Sequence, residues 1–147
     1  MRAMGLDVGQ RRIGVALSDP SGRLAYSRGT LRRSKLPKDL DELAAIASEE
    51  GVSLVVVGLP RNLDGTLGPQ AERVQRFGAL LAERLSLPVV YWDERLTTVA
   101  AQRELREAGV PARARRESVD AVAAAMILQG YLDYLANQEL RSRGEVE

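Results

Sequence analysis

The sequence predicts an α/β domain on a mixed five-stranded sheet, three antiparallel strands followed by parallel ones, with helices flanking it. Three observations carry that reading. Strand-length apolar segments crowd the start of the chain, at residues 3–8, 13–18 and 24–31. The run Leu54-Val55-Val56-Val57 is wholly apolar, as a strand is when both faces of its sheet are covered. Segments of helical period then separate that run from the next strand.

The elements follow in order. A Gly9-Gln10-Arg11-Arg12 turn joins the first two strands into an antiparallel opening. Over residues 38–50, Leu40, Leu43, Ala44, Ile46 and Ala47 recur at helical spacing, and Gly51 is a stop signal. The buried parallel strand occupies 53–58, and a polar, glycine-rich stretch follows at 60–69. Val74, Phe77, Leu81 and Leu85 mark a second helix, and a second buried strand is expected at 88–92. Thr97 or Thr98 can cap a third helix ending near Ala108, before Gly109 and Pro111. Ser118 can cap a last one over 119–136, where Val122, Ala123, Met126, Ile127, Gly130, Tyr131 and Tyr134 repeat every three or four residues. One domain over residues 1–137, with a frayed tail at 138–147, accounts for the chain, and no internal repeat divides it.

Composition narrows the chemistry. With 45% hydrophobic and 28% charged residues in 147, the chain has the balance of a globular domain. It has no cysteine, which excludes disulfides and thiolate chemistry and suits a reducing cytosol. It also has no histidine, which removes the commonest general base and leaves carboxylates to carry acid, base or metal chemistry. No apolar run approaches the ~20 residues of a membrane helix and no signal-peptide pattern opens the chain, so a cytoplasmic, membrane-free protein is expected. Net charge is only +1, so nucleic-acid binding would require local clusters. Two exist: Arg28, Arg32, Arg33, Lys35 and Lys38, and Arg113, Arg115 and Arg116. Either could track a phosphate backbone or simply be solvated loop.

Three acids stand out. Asp7 interrupts an apolar strand, where it either caps the turn at Gly9 or serves an opening at the strand end. Glu94 follows the strand Val89-Val90-Tyr91-Trp92, at the carboxyl end where open α/β sheets form their crevices. Asp120 lies in the first turn of the last helix, where the dipole alone would favour an acid. Together on one sheet edge they could hold two Mg²⁺ or Mn²⁺ ions that clamp a phosphodiester. Around them, Gly9 and Gly14 could admit a phosphate or merely shape turns, and Asn62, Asp64, Gly65, Thr66 and Gly68 could line a groove or build their own loop. Arg95 could meet a phosphate or hold a carboxylate, or be an exposed surface arginine.

Several longer blocks carry a resemblance. Gly5-Leu6-Asp7-Val8-Gly9 with Arg12-Ile13-Gly14-Val15-Ala16-Leu17-Ser18-Asp19 resembles the opening of the YqgF/RuvX family of Holliday-junction-resolvase-like nucleases. Val57-Gly58-Leu59-Pro60, Asn62-Leu63-Asp64-Gly65-Thr66, Gly68-Pro69-Gln70, Asp93-Glu94-Arg95-Leu96-Thr97-Thr98, Asp120-Ala121-Val122-Ala123-Ala124 and Ile127-Leu128-Gln129 match further blocks in order, over residues 4–134. Arg61 is a departure in a loop where relatives often carry other residues, and the acids do not depart.

The resemblance implies an RNase H-like fold and phosphodiester hydrolysis, with a role in maturing the 5′ end of pre-16S ribosomal RNA within pre-ribosomal particles. Asp7, Glu94 and Asp120 are the implied catalytic and metal-holding acids, with Asp7 bridging two ions. Gly9, Arg12, Asn62, Asp64, Arg95 and Thr97, within the matched blocks, are the implied substrate contacts, joined by Arg115 and Arg116 of the second basic cluster as candidates on charge alone. Structured RNA is the expected partner and branched DNA the alternative, since the family has also been held to resolve four-way junctions. Junction cutting would favour a homodimer over a monomer, although no dimer face is marked in the sequence. Readings of another class are a non-catalytic RNA-binding module and an actin-like or sugar-kinase ATPase. The ATPase closes two domains around its nucleotide, and this chain provides one.

Overall fold

The computed structural model describes residues 1–94 and 112–144, with the backbone alone over 112–120. Its elements are β1 (Ala3–Val8), β2 (Arg12–Ser18), β3 (Ala25–Arg32), α1 (Leu36–Glu49), β4 (Leu54–Leu59), α2 (Pro69–Leu85), β5 (Val89–Asp93) and α3 (Ala112–Ser142). The strands form one sheet in the order β3-β2-β1-β4-β5. β1 and β3 flank β2 antiparallel, whereas β4 runs parallel to both β1 and β5. This is the mixed sheet expected from the sequence.

The pleat sorts side chains between two cores. Met4, Leu6 and Val8 of β1 face α1 and α2, joining Val55, Val57, Leu43, Val74, Phe77 and Leu81. Ala3, Ala16, Leu54 and Val56 face α3 and meet Ala124, Ile127, Leu128 and Leu132. β1 and β4 are therefore covered on both sides, which is why they read as continuous apolar runs. β5 departs from expectation. It pairs only with β4 among the described residues and all five of its positions are half-buried, so it ends the sheet instead of lying within it.

The long helix also departs from expectation. α3 begins at Ala112, ahead of the anticipated cap at Ser118, and continues to Ser142, so residues 138–142 are helical where a frayed tail was expected. Hydrophobic periodicity marks only the packed part of a helix. Ala112-Arg113-Ala114-Arg115-Arg116 and Gln138-Glu139-Leu140-Arg141 are helix-favouring residues that extend it beyond the apolar stripe. The helix anticipated over residues 97–108 lies outside the described residues.

One buried polar cluster fixes the joint between β3 and α1. Asp39 is 2% exposed, and its carboxylate accepts hydrogen bonds from Ser34 N (3.0 Å), Ser34 Oγ (3.3 Å) and Arg33 Nε (3.3 Å). Arg33 also donates to Gly9 O at 2.9 Å and lies 5.1 Å over the Phe77 ring. Arg33, counted by sequence among cations free to follow a backbone, is instead a brace between β1, α1 and α2.

α3 approaches the sheet closely over Gly5. A Cβ there would stand 2.7 Å from Leu128 Cβ and 2.9 Å from Ala124 O, neither of which can swing aside. Gly5→Ala is expected to lower stability by about 1–3 kcal/mol, read as a lower urea midpoint at unchanged slope.

Candidate active site

Asp7 is the one residue of β1 left half-buried, and it shares the α3-facing side of the strand with Gly5. Its strand partner on β2 is Gly14, which leaves no side chain beside it. Two strands away β5 ends at Asp93, and Glu94 follows directly. The Glu94 carboxylate folds back over Gly58 of β4, where a Cβ would lie 2.8 Å from its Oε2 and would also strike Ile127 Cδ1. Gly58 thus makes room for both the acid and the helix, and it follows the apolar run that marked β4 in the sequence.

The structure brings Asp7 and Glu94 into direct hydrogen bonding. Burial is the main force pushing the Glu94 carboxyl above the usual range; its bond to Asp7 draws it back, and the charge of Asp93 raises it further.

Asp120 is placed by backbone alone. Ala121 O accepts from Ser27 Oγ at 3.0 Å, and Gln129 Oε1 accepts from Ala25 N at 2.8 Å, so α3 runs antiparallel to β3 and β1. Residue 120 precedes Ala124 by four positions, about 6 Å along the helix, and Asp7 follows Gly5 by about 6.6 Å along the strand. With Ala124 on Gly5, residue 120 is brought to the Asp7 end of the sheet. Among the described residues, no group of three His, Cys, Asp or Glu side chains forms.

The other predicted contacts fare differently. Gly9 N donates to Arg12 O at 2.9 Å, so Gly9 and Arg12 close the β1–β2 turn. The loop at 60–69 binds itself: Asn62 Nδ2 donates to Thr66 Oγ1 (2.9 Å), and Asp64 Oδ1 accepts from Thr66 N (3.0 Å) and Thr66 Oγ1 (2.6 Å). Arg115 and Arg116 lie on the first turns of α3, and Arg95 and Thr97 fall outside the described residues. Asp19, within the opening motif, builds a turn: hydrogen bonds from Ser21 Oγ and the Leu24 and Arg23 backbone hold its carboxyl down at about 2. Sequence reasoning undervalued Arg61, whose Nε lies 4.0 Å from Asp93 Oδ2 while its guanidinium donates to Gly65 O at 3.0 Å. It ties the loop to the strand that carries Glu94.

An RNase H-like α/β domain with carboxylates gathered at the carboxyl ends of its parallel strands is the class that fold and site define. A family model, RuvX, described as Holliday junction resolvase, matches residues 1–134, and the chain belongs to that family. A protein of Moorella thermoacetica named "Putative pre-16S rRNA nuclease" is 56% identical over 135 residues, covering 92% of this chain and 96% of its own. Its namesake from Thermoanaerobacter pseudethanolicus is 50% identical over 139 residues, covering 94% and 100%. Among solved structures, T. thermophilus RuvC in complex with Holliday junction substrate aligns with TM-score 0.60 at 14% identity, covering 93% of this chain and 96% of that one. Fowlpox virus resolvase with its Holliday junction DNA aligns with TM-score 0.54 at 9% identity, covering 92% and 99%. At such identities the likeness is one of fold.

The raised Glu94 carboxyl has a consequence for stability. A group whose folded pKa lies above its unfolded value adds stability below the unfolded pKa and loses it as pH rises through the folded one. In chelator, Glu94→Gln is therefore expected to be more stable than wild type at pH 7, and the difference to shrink on acidification below the ordinary carboxylate pKa. Urea titrations at the two pH values measure it.

Proposed function

We propose that this protein is a metal-dependent nuclease that hydrolyses nucleic-acid phosphodiester bonds in the 5′-end maturation of pre-16S ribosomal RNA. The observation that carries the catalytic part is the Asp7–Glu94 carboxyl pair, half-buried at the carboxyl end of the strands, and the backbone course of α3 toward that end supports Asp120 as the third acid. The relatives' names support the RNA substrate.

The donor set fits a hard divalent cation. Carboxylate oxygens are the ligands Mg²⁺ and Mn²⁺ prefer, and the cost of holding two acids side by side in a partly buried site is relieved by a cation between them. Asp7, Glu94 and Asp120 would hold the ions, two by our reading. Bound there, the metal would supply an activated water and a clamp on the scissile phosphate. The chain's own contribution is placement. β1 carries Asp7 out of a core covered on both sides, Glu94 follows β5 and folds back over β4, Gly58 and Gly14 clear space around them, and Arg61 with Asp93 anchors the segment leading into Glu94. With no histidine in the chain, the edge carboxylates are the groups placed to take up the proton lost by water. The cytoplasm and pre-ribosomal particles are the setting that such a substrate implies.

A second reading, resolution of four-way DNA junctions, is favoured by the family model's description and by the fold shared with two junction-bound resolvases. It would call for a symmetric dimer.

The discriminating experiment offers precursor 16S RNA and a four-way DNA junction to wild type and Asp7→Asn, with Mg²⁺, Mn²⁺ or chelator. RNA cleavage is expected to fall at least about a hundredfold in Asp7→Asn, a barrier increase of about 2.7 kcal/mol, and to cease in chelator. Preferential paired cutting of the junction would instead establish the resolvase, and no cutting of either by folded, metal-supplied protein would remove the catalytic reading.

A further inference from the structure

On the side of the sheet opposite the acids, a groove of about 380 Å³ opens beside Val8, Gly9 and Gln10. This volume is of the size that takes a small ligand or one ligand moiety. Val74, Phe77 and Val8 form its apolar floor, with Leu36 and Leu80, both partly exposed, at its margin. Its charged lining groups are all cationic: Arg33, Arg73 and Arg76. Arg33 cannot drift, because Asp39, Gly9 O and the Phe77 ring hold its guanidinium. Arg73 and Arg76 are exposed on α2, and Arg73 also borders a second hollow of about 310 Å³ with Arg61 and Asn62. Since Arg61 reaches Asp93, beside Glu94, a cationic path runs from the acid-bearing edge over the start of α2 to the groove.

An apolar floor beneath a cationic rim matches one chemistry closely: a base that leaves water while its phosphates stay at the surface. A planar guanidinium held in place is a surface on which single-stranded bases stack, and phosphates pair with exposed arginines. The geometry points to this groove as the seat of an unpaired nucleotide of the substrate strand, flanking the position of cleavage, with its base against Arg33, Leu80 and the apolar floor and its phosphates on Arg73 and Arg76. This inference rests on the nuclease reading for its substrate but not for its measurement.

The test is fluorescence anisotropy of a labelled single-stranded RNA in chelator, on full-length Asp7→Asn protein so that nothing is cut. Adding Arg73→Gln and Arg76→Gln is expected to weaken binding at least about fivefold and to make the salt dependence shallower by about 0.7 for each arginine lost. Arg141→Gln, exposed near the end of α3, is the charge control. Leu80→Ser is expected to weaken binding of the RNA but not of the same backbone lacking its bases. A double variant that binds like the Arg141→Gln control overturns the groove as a strand site. Equal binding of normal and abasic strands by the protein with Leu80 intact overturns a seated base. Loss of cleavage in Asp7→Asn is scored separately, so either reading can fail while the other stands.

Discussion

Helix α3 can lie flat on the sheet only because Gly5 and Gly58 present no side chain to it, and the acidic edge depends on that contact. At Gly5 the helix backbone itself, through Ala124 O, is within reach of where a Cβ would be. At Gly58 the space is shared by Ile127 and by the Glu94 carboxylate. The glycine that admits the helix also admits the acid, so packing and site geometry are set by the same missing atoms. A helix held farther away would leave Glu94 more hydrated and loosen its bond to Asp7, removing the feature that makes the pair a metal-binding candidate.

The two faces of the sheet carry different burdens. On the α1 and α2 side a large aliphatic core and the Arg33–Asp39 brace supply rigidity. On the α3 side the core is smaller, built on alanines with a few larger aliphatics and on two close-packed glycines, and the Asp7–Glu94 pair lies on this side. Stability and chemistry are thus separated across one layer of strands, and Asp7 with Val8, adjacent in sequence, belong to opposite sides of that division.

Much of this was legible in the sequence. Strand and helix order followed from periodicity, and β1 and β4 announced their central place because burial on both faces erases alternation. The choice of Asp7 and Glu94 rested on acids interrupting or ending apolar strands, and both came together. What could not be read were relations that depend on pairs distant in the chain. Arg33 reads as a loop cation until Asp39, Gly9 and Phe77 surround it. Asn62 and Asp64 have groove composition, yet they satisfy Thr66. β5 opens on the same Val-Val pattern as β4, and its place at the end of the sheet is a matter of topology. The reach of α3 beyond its apolar stripe reflects helix propensity in residues that periodicity does not mark.

The sheet order also bears on how the molecule is made. β1 pairs with β2 across a tight turn but waits for β4, some fifty residues later in synthesis, to complete its other side. Until Leu54–Leu59 has left the ribosome, β1 presents an unpaired apolar margin, the kind of strand that chaperones cover and that joins wrongly to other chains. α3 follows still later, and with it the enclosure of Glu94. A nascent chain in that interval has its strands in place before its acids are assembled, so the acidic edge would be completed only once α3 has been made.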